Sequence, residues 1–189
     1  FRVSTFPTLF GEKVVIRVLG QAGGELELVE QLGLAPAVHD CLTQDLRSTS
    51  GAVVIAGPAG SGKTTTAYAA LREILAQASG GRSVASLEDP VEVVVPGVAQ
   101  TQVNESAGLT MATGLRSLLR QDPEVIFIGE IRDRAVADVA LQAALTGQLV
   151  VTTFHAGNCA EVLHRLGDMG LPAYAVQNAV RLIVAQRLL

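Results

Sequence analysis

The sequence has no tryptophan, two tyrosines, five phenylalanines and two cysteines among 189 residues. So few aromatics argue against the stacking platforms on which single-stranded nucleic acid is held. The two cysteines, Cys41 and Cys159, are far apart and form no C-x-x-C pair, so neither a zinc site nor a disulfide framework is indicated, and both are expected to be small buried fillers. The net charge is −4 and the fourteen Lys and Arg form no run of five, so no basic tract marks a nucleic-acid surface. No apolar stretch approaches the ~18 residues of a membrane span, and no basic start followed by an apolar core marks a signal peptide. A cytoplasmic location is the expectation. The first residue, Phe1, stands in mid-pattern rather than at a Met start, as expected of a piece of a longer chain. What the sequence does have is a hydrophobic fraction of 49%, enough to build the core of one substantial domain.

The strongest local signal is Gly57-Pro58-Ala59-Gly60-Ser61-Gly62-Lys63-Thr64, which fits the phosphate-loop pattern G-x-x-x-x-G-K-[ST] at every fixed position. A β-branched run, residues 52–56, precedes it, and a helix-forming stretch, residues 65–78, follows. The motif therefore falls between strand and helix, as its mechanism requires. Its glycines let the backbone curl so that successive N–H groups face phosphate oxygens, and the helix N-terminus adds roughly half a positive charge. Lys63 is expected to reach the β- and γ-phosphates of ATP, and the Thr64 hydroxyl to ligate Mg2+.

Upstream, residues 1–6 and 12–19 read as two strands joined by a loop at residues 7–11. Pairing about that loop sets Arg2 opposite Arg17. Opposed like charges cost a few tenths of a kcal/mol to about 1 kcal/mol unless an anion lies between them, so the pair is read either as reaching toward a phosphate or as two solvated arginines. Residues 20–24 read as a linker, 25–34 as a short helix and 36–47 as a second one with Pro36 in its first turn.

Beyond the loop, residues 82–87 form a β-rich run ending in Glu88-Asp89-Pro90, and the acids are expected in a stiff bend because Pro90 restricts Asp89. Carboxylates at the end of a parallel strand face the crevice where ligands bind, although a turn of solvated acids has the same pattern. Residues 98–103 read as a strand and 109–120 as a helix with Thr110 as a cap. Val125-Ile126-Phe127-Ile128 reads as a strand buried on both faces, and Glu130 is placed where the acid of a phosphate-loop ATPase is expected to meet magnesium and attacking water. Asp133 is expected to cap a helix at 134–145. Residues 149–153 form another buried strand, delivering His155 either as a contact to the γ-phosphate or as a structural histidine. Residues 159–169 and 172–188 complete the chain as helices, the last with an apolar face that includes Val176, Leu182 and Ile183.

Four motifs in this order resemble the secretion and pilus-assembly ATPases of bacteria, the hexameric motors of type II secretion and type IV pili. They are the phosphate loop with Thr65 and Thr66, the acidic box Ser86-Leu87-Glu88-Asp89-Pro90-Val91-Glu92, the stretch from Leu119-Arg120-Gln121-Asp122-Pro123 to Gly129-Glu130-Ile131-Arg132-Asp133, and the histidine box Thr152-Thr153-Phe154-His155. The resemblance implies an α/β, RecA-like core with a mostly parallel sheet flanked by helices. Residues 1–20 would be the closing hairpin of an N-terminal domain, 21–24 a linker and 25–189 the core, its C-terminal part truncated. It assigns Gly57, Gly60, Ser61, Gly62, Lys63, Thr64 and Thr65 to ATP, Thr64 and Glu130 to the Mg2+ side, Glu88 to the attacking water and His155 to sensing the nucleotide. Arg2 and Arg17 would complete the site when the N-terminal domain closes. A homo-hexamer, partners at the inner membrane and no nucleic-acid ligand are implied, and Gln102-Val103-Asn104 with Asp168-Met169-Gly170 look like the secretion and assembly branch. Departures are Gln148 where the family often has His, and Ala156-Gly157-Asn158 where it has Thr-Asn-Asp. A nucleotide-holding module without turnover, a pilus-retraction ATPase and a nucleic-acid translocase are the alternatives.

Overall fold

A computed structural model describes residues 2–17, 28–77 and 81–188. The first two strands, β1 (Arg2–Thr8) and β2 (Gly11–Arg17), form an antiparallel hairpin in which Arg2 pairs with Arg17, the register expected from the sequence. The connection is tighter than expected. Pro7 and Thr8 continue β1, leaving Leu9 and Phe10 at the tip, and the Thr8 hydroxyl closes the turn by donating to the Gly11 carbonyl at 2.7 Å. Pro7 is tolerated because a two-stranded ribbon has a free edge that needs no N–H donor. The expected linker at 20–24 lies outside the described residues, as do the side chains of Arg2 and Arg17.

Six strands build one parallel sheet in the order β5-β4-β6-β7-β3-β8. They are β3 (Gly51–Ala56), β4 (Val84–Glu88), β5 (Val98–Gln102), β6 (Val125–Ile128), β7 (Leu149–Phe154) and β8 (Val180–Ala185). The helices are α1 (Pro36–Leu46), α2 (Lys63–Gln77), α3 (Met111–Leu118), α4 (Arg134–Leu145), α5 (Cys159–Asp168) and α6 (Ala173–Ala179).

Strand periodicity divides the core in two. Val53, Ile55, Val125, Phe127, Leu149 and Val151 face α1 and α2, whereas Ala52, Val54, Ile126, Ile128 and Val150 face the side that carries α3, α4, α5 and α6. With both faces covered, β3 and β6 are continuously apolar, as their sequences read. Full burial of each larger side chain contributes about 1.5–3 kcal/mol before entropy is counted.

Several local expectations need correction. Residues 172–188 are not one helix: α6 stops at Ala179, and β8 joins the sheet beside β3. Val180, Ile183 and Val184 are β-branched and fit a pleated surface, and a free edge of β3 was available to pair with them. The expected helix at 25–34 is, within its described part, only a 3-10 turn, Val29–Leu32, ended by Gly33 in the left-handed region at φ 66°. Cys41 and Cys159 are exposed rather than buried. Asp133 does cap α4, its carboxylate accepting from the Val136 N–H at 2.9 Å, and Thr110 caps α3.

Candidate functional site

The strand order explains why residues far apart in sequence share one place. The strands β4, β6, β7 and β3 are consecutive neighbours, and all four deliver their carboxyl ends to the same edge of the sheet. Neighbouring strands are ~4.8 Å apart, so the four ends fall within side-chain reach of a single ligand. The segment after β3 is the phosphate loop; Glu88 ends β4, Glu130 follows β6, and His155 follows β7. A cavity of about 340 Å³ opens there, lined by Lys63, Thr64, Glu88, Glu130 and His155 together with Asp89, Arg132 and Thr153.

The loop is shaped by its glycines. Gly60 and Gly62 adopt φ of 74° and 82°, which a residue with a Cβ rarely tolerates. At Gly57 the constraint is space instead, because a Cβ there would strike Ser61 Oγ and come within 2.6 Å of the Gln186 carbonyl oxygen. Lys63 opens α2 and curls back, its ammonium donating to the carbonyls of Gly57 at 2.9 Å and Pro58 at 2.8 Å. Burial lowers its pKa, while the charge of Glu130 acts in the opposite sense. Thr64 and Thr65 are half-buried in the first turn of α2, and only Thr64 lines the cavity.

Gln186, just past β8, holds the loop from behind. Its side-chain amide donates to the Ser61 carbonyl at 2.6 Å, and its backbone N–H donates to Ala56 at 2.9 Å. Sequence reasoning missed this residue because it was assigned to a helix.

The acids differ sharply in setting. Glu88 is 2% exposed and belongs to the strand, so the idea of a solvated turn acid is overturned for it. Its Oε1 accepts from Ser86 Oγ at 2.5 Å and Gln100 Nε2 at 3.0 Å, and its Oε2 accepts from the Tyr68 hydroxyl at 2.5 Å. A carboxylate this deep requires such donors. Tyr68 in turn accepts from the N–H groups of Glu92 at 3.1 Å and Val93 at 3.4 Å. Burial, followed by the hydrogen bond to Glu88, drives the phenol pKa well above its ordinary range.

Glu130 is half-buried and bound by Arg132, whose Nε donates to its Oε2 at 2.6 Å while Nη1 donates to Asp89 Oδ2 at 3.3 Å. The hydrogen bond to Glu130 raises the Arg132 pKa, burial works against it, and the charges of Glu130 and Asp89 add to the rise. Arg132 was legible only as part of the Gly129-Glu130-Ile131-Arg132-Asp133 motif. The histidine box holds its neighbours in place: Thr152 donates to the Ile128 carbonyl at 3.0 Å and Thr153 to that of Gly129 at 2.6 Å, fixing the backbone just before Glu130. His155 itself is exposed at the cavity.

The donors fit a phosphate ligand and a magnesium ion together. Among the described residues no group of three or more His, Cys, Asp and Glu could hold a metal. Thr64 and Glu130 nonetheless offer the one or two hard oxygen ligands that Mg2+ takes from protein when phosphates supply the rest.

A parallel sheet with this loop between β3 and α2, and acids at the neighbouring strand ends, defines a phosphate-loop α/β protein. The family described as Type II/IV secretion system protein matches residues 1–189, and the chain belongs to it. It is 46% identical over 187 residues to the type II secretion system protein HxcR of Pseudomonas aeruginosa, covering 99% of this chain and 39% of that protein. It is 44% identical over 188 residues to the type IV pilus assembly ATPase PilB of Acinetobacter baylyi, covering 100% of this chain and 32% of that one. The chain thus spans well under half the length of these relatives. Among solved structures, the pilus retraction motor PilT with bound ADP matches at a TM-score of 0.81 and 31% identity, covering 98% of this chain and 54% of PilT. The ATPase DotB of Legionella pneumophila matches at 0.78 and 25% identity, covering 99% and 53%.

Proposed function

We propose that this chain is the ATP-hydrolysing core of a motor that powers protein secretion or type IV pilus assembly. The observation that carries the reading is the convergence of Lys63, Thr64, Glu88, Glu130 and His155, from four adjacent strand ends, on one cavity. The loop N–H groups with Gly57, Gly60, Ser61, Gly62 and Thr65, and the Lys63 ammonium, bind the phosphates. Thr64 and Glu130 would hold magnesium, which would supply charge neutralisation to the bound phosphates. Glu88 orients the attacking water, and His155 senses the γ-phosphate. Catalysis of this kind rests on positioning and charge.

The hairpin belongs to an N-terminal domain, and Arg2 and Arg17 complete the site when that domain closes. An arginine supplied in this way contributes ~10³ to 10⁵ in rate, so turnover rises with assembly into a homo-hexamer. The motor works in the cytoplasm against proteins of the inner membrane; among the described residues no helix is long and apolar enough to cross a membrane. Identities of 42–46% to secretion and assembly proteins, against 31% to PilT, favour that branch over retraction. Light scattering on the full-length protein with a non-hydrolysable ATP analogue, paired with magnesium-dependent phosphate release, tests the reading. A hexamer with turnover is expected. A protein that stays monomeric, or binds ATP without hydrolysing it, contradicts the reading.

A further inference from the structure

The geometry points to Tyr68 as the positioning residue that holds Oε2 of Glu88, the oxygen left open to the attacking water, and that joins this carboxylate to the helix gripping the phosphates. The inference rests on the proposed role of Glu88 in orienting water.

An ionised carboxylate offers about four acceptor positions, two per oxygen. Among the described residues, Oε1 of Glu88 takes two donors, Ser86 Oγ and Gln100 Nε2, whereas Oε2 takes one, the Tyr68 hydroxyl. The open position is therefore on Oε2, the oxygen held by Tyr68.

The direction of the Tyr68 proton is also fixed. A phenol has one proton to donate, and its oxygen already accepts from the backbone N–H groups of Glu92 and Val93. The proton is left for Glu88. Those two amides belong to the last residue of the acidic box and the residue after it, so one hydroxyl ties together α2, the end of β4 and the following loop. The ring is held as well: it is 3% exposed and meets the edge of Phe127 with centroids 5.9 Å apart and planes at 68°.

Placement on α2 gives this a consequence for turnover. The helix starts at Lys63, so the residue that meets the phosphates and the residue that aims the carboxylate ride on one rigid element. A shift of the helix moves both. Gln100 extends the same frame, its amide donating to Glu88 and to the Val93 carbonyl while its oxygen accepts from the Val95 N–H at 2.6 Å.

The test compares kcat, KM for ATP and melting temperature for the full-length protein and its Tyr68→Phe, Ser86→Ala and Glu88→Gln variants. Tyr68→Phe keeps the ring and removes only the hydroxyl. Misplacing a group that orients water costs ~10- to 100-fold, so kcat should fall by that factor while KM stays unchanged. Ser86→Ala touches Glu88 but not the 92–93 amides, and it should lower kcat in the same selective way. If Tyr68→Phe melts early, its kcat is measured below its own melting temperature, with Ser86→Ala showing what loosening Glu88 through its other oxygen costs. Unchanged kcat in Tyr68→Phe, whatever Ser86→Ala does, or a KM that rises in parallel with the loss, overturns the role of Tyr68. Wild-type turnover in Glu88→Gln overturns the role of Glu88 itself, so the two failures are distinguishable.

Discussion

Replacing Gln186 by Leu keeps most of the side-chain volume and deletes one donor, the amide that binds the Ser61 carbonyl at 2.6 Å. The remaining Gln186 contact to the strand, its backbone N–H on Ala56, is untouched. A neutral hydrogen bond of this kind is worth about 1 kcal/mol net, and more when the abandoned acceptor is buried. If the bond preorganises the phosphate loop, that energy appears in nucleotide affinity, which should fall by about 5-fold, since 1.4 kcal/mol corresponds to tenfold. Titration with a fluorescent ATP analogue, read against the melting temperature, separates loop order from global stability. An unchanged affinity would refute the claim that β8 supports the loop.

Three further outcomes follow from the same structure. Phe127→Ala empties one of the largest buried positions and should cost about 3–5 kcal/mol in denaturant unfolding; a loss below 1 kcal/mol contradicts the packing described. Asp133→Ala removes the α4 cap and should cost about 1 kcal/mol, and an unchanged midpoint contradicts the capping bond. For Tyr68 the folded state holds the phenol proton more tightly than the unfolded state does. Its stabilising contribution is therefore complete below the ordinary tyrosine pKa of about 10 and fades as pH climbs beyond it. In a Tyr174→Phe variant of this 189-residue chain, phenolate absorbance should develop at higher pH when the chain is folded than when it is unfolded; coincident curves would count against the buried hydrogen bond.

The sequence was most legible where one physical cause dominates. Fixed glycines and Lys63 identified the phosphate loop, and the unbroken apolar runs at residues 52–56 and 125–128, with the β-rich stretch at 149–153, identified strands covered on both faces. It was misleading where two periods compete: residues 180–185 present apolar side chains compatible with a helix, and only the unpaired edge of β3 decides for a strand. Glu88 could be placed at a strand end but not given its surroundings. Its donors come from residues 2, 12 and 20 positions away, and the sheet order that gathers them has no local signature. Arg132 was hidden for a similar reason, since its partner Asp89 lies on another strand end.

The central claim is that Lys63, Glu88 and Glu130 act on the same nucleotide. Its most direct test is to measure magnesium-dependent phosphate release and ATP-analogue binding on the full-length protein and on its Lys63→Ala, Glu88→Gln and Glu130→Gln variants. Lys63→Ala should lose binding and turnover together, while the two glutamate variants should keep binding and lose turnover by ~10²-fold or more. Turnover retained in both glutamate variants, or tight binding retained without Lys63, would contradict it.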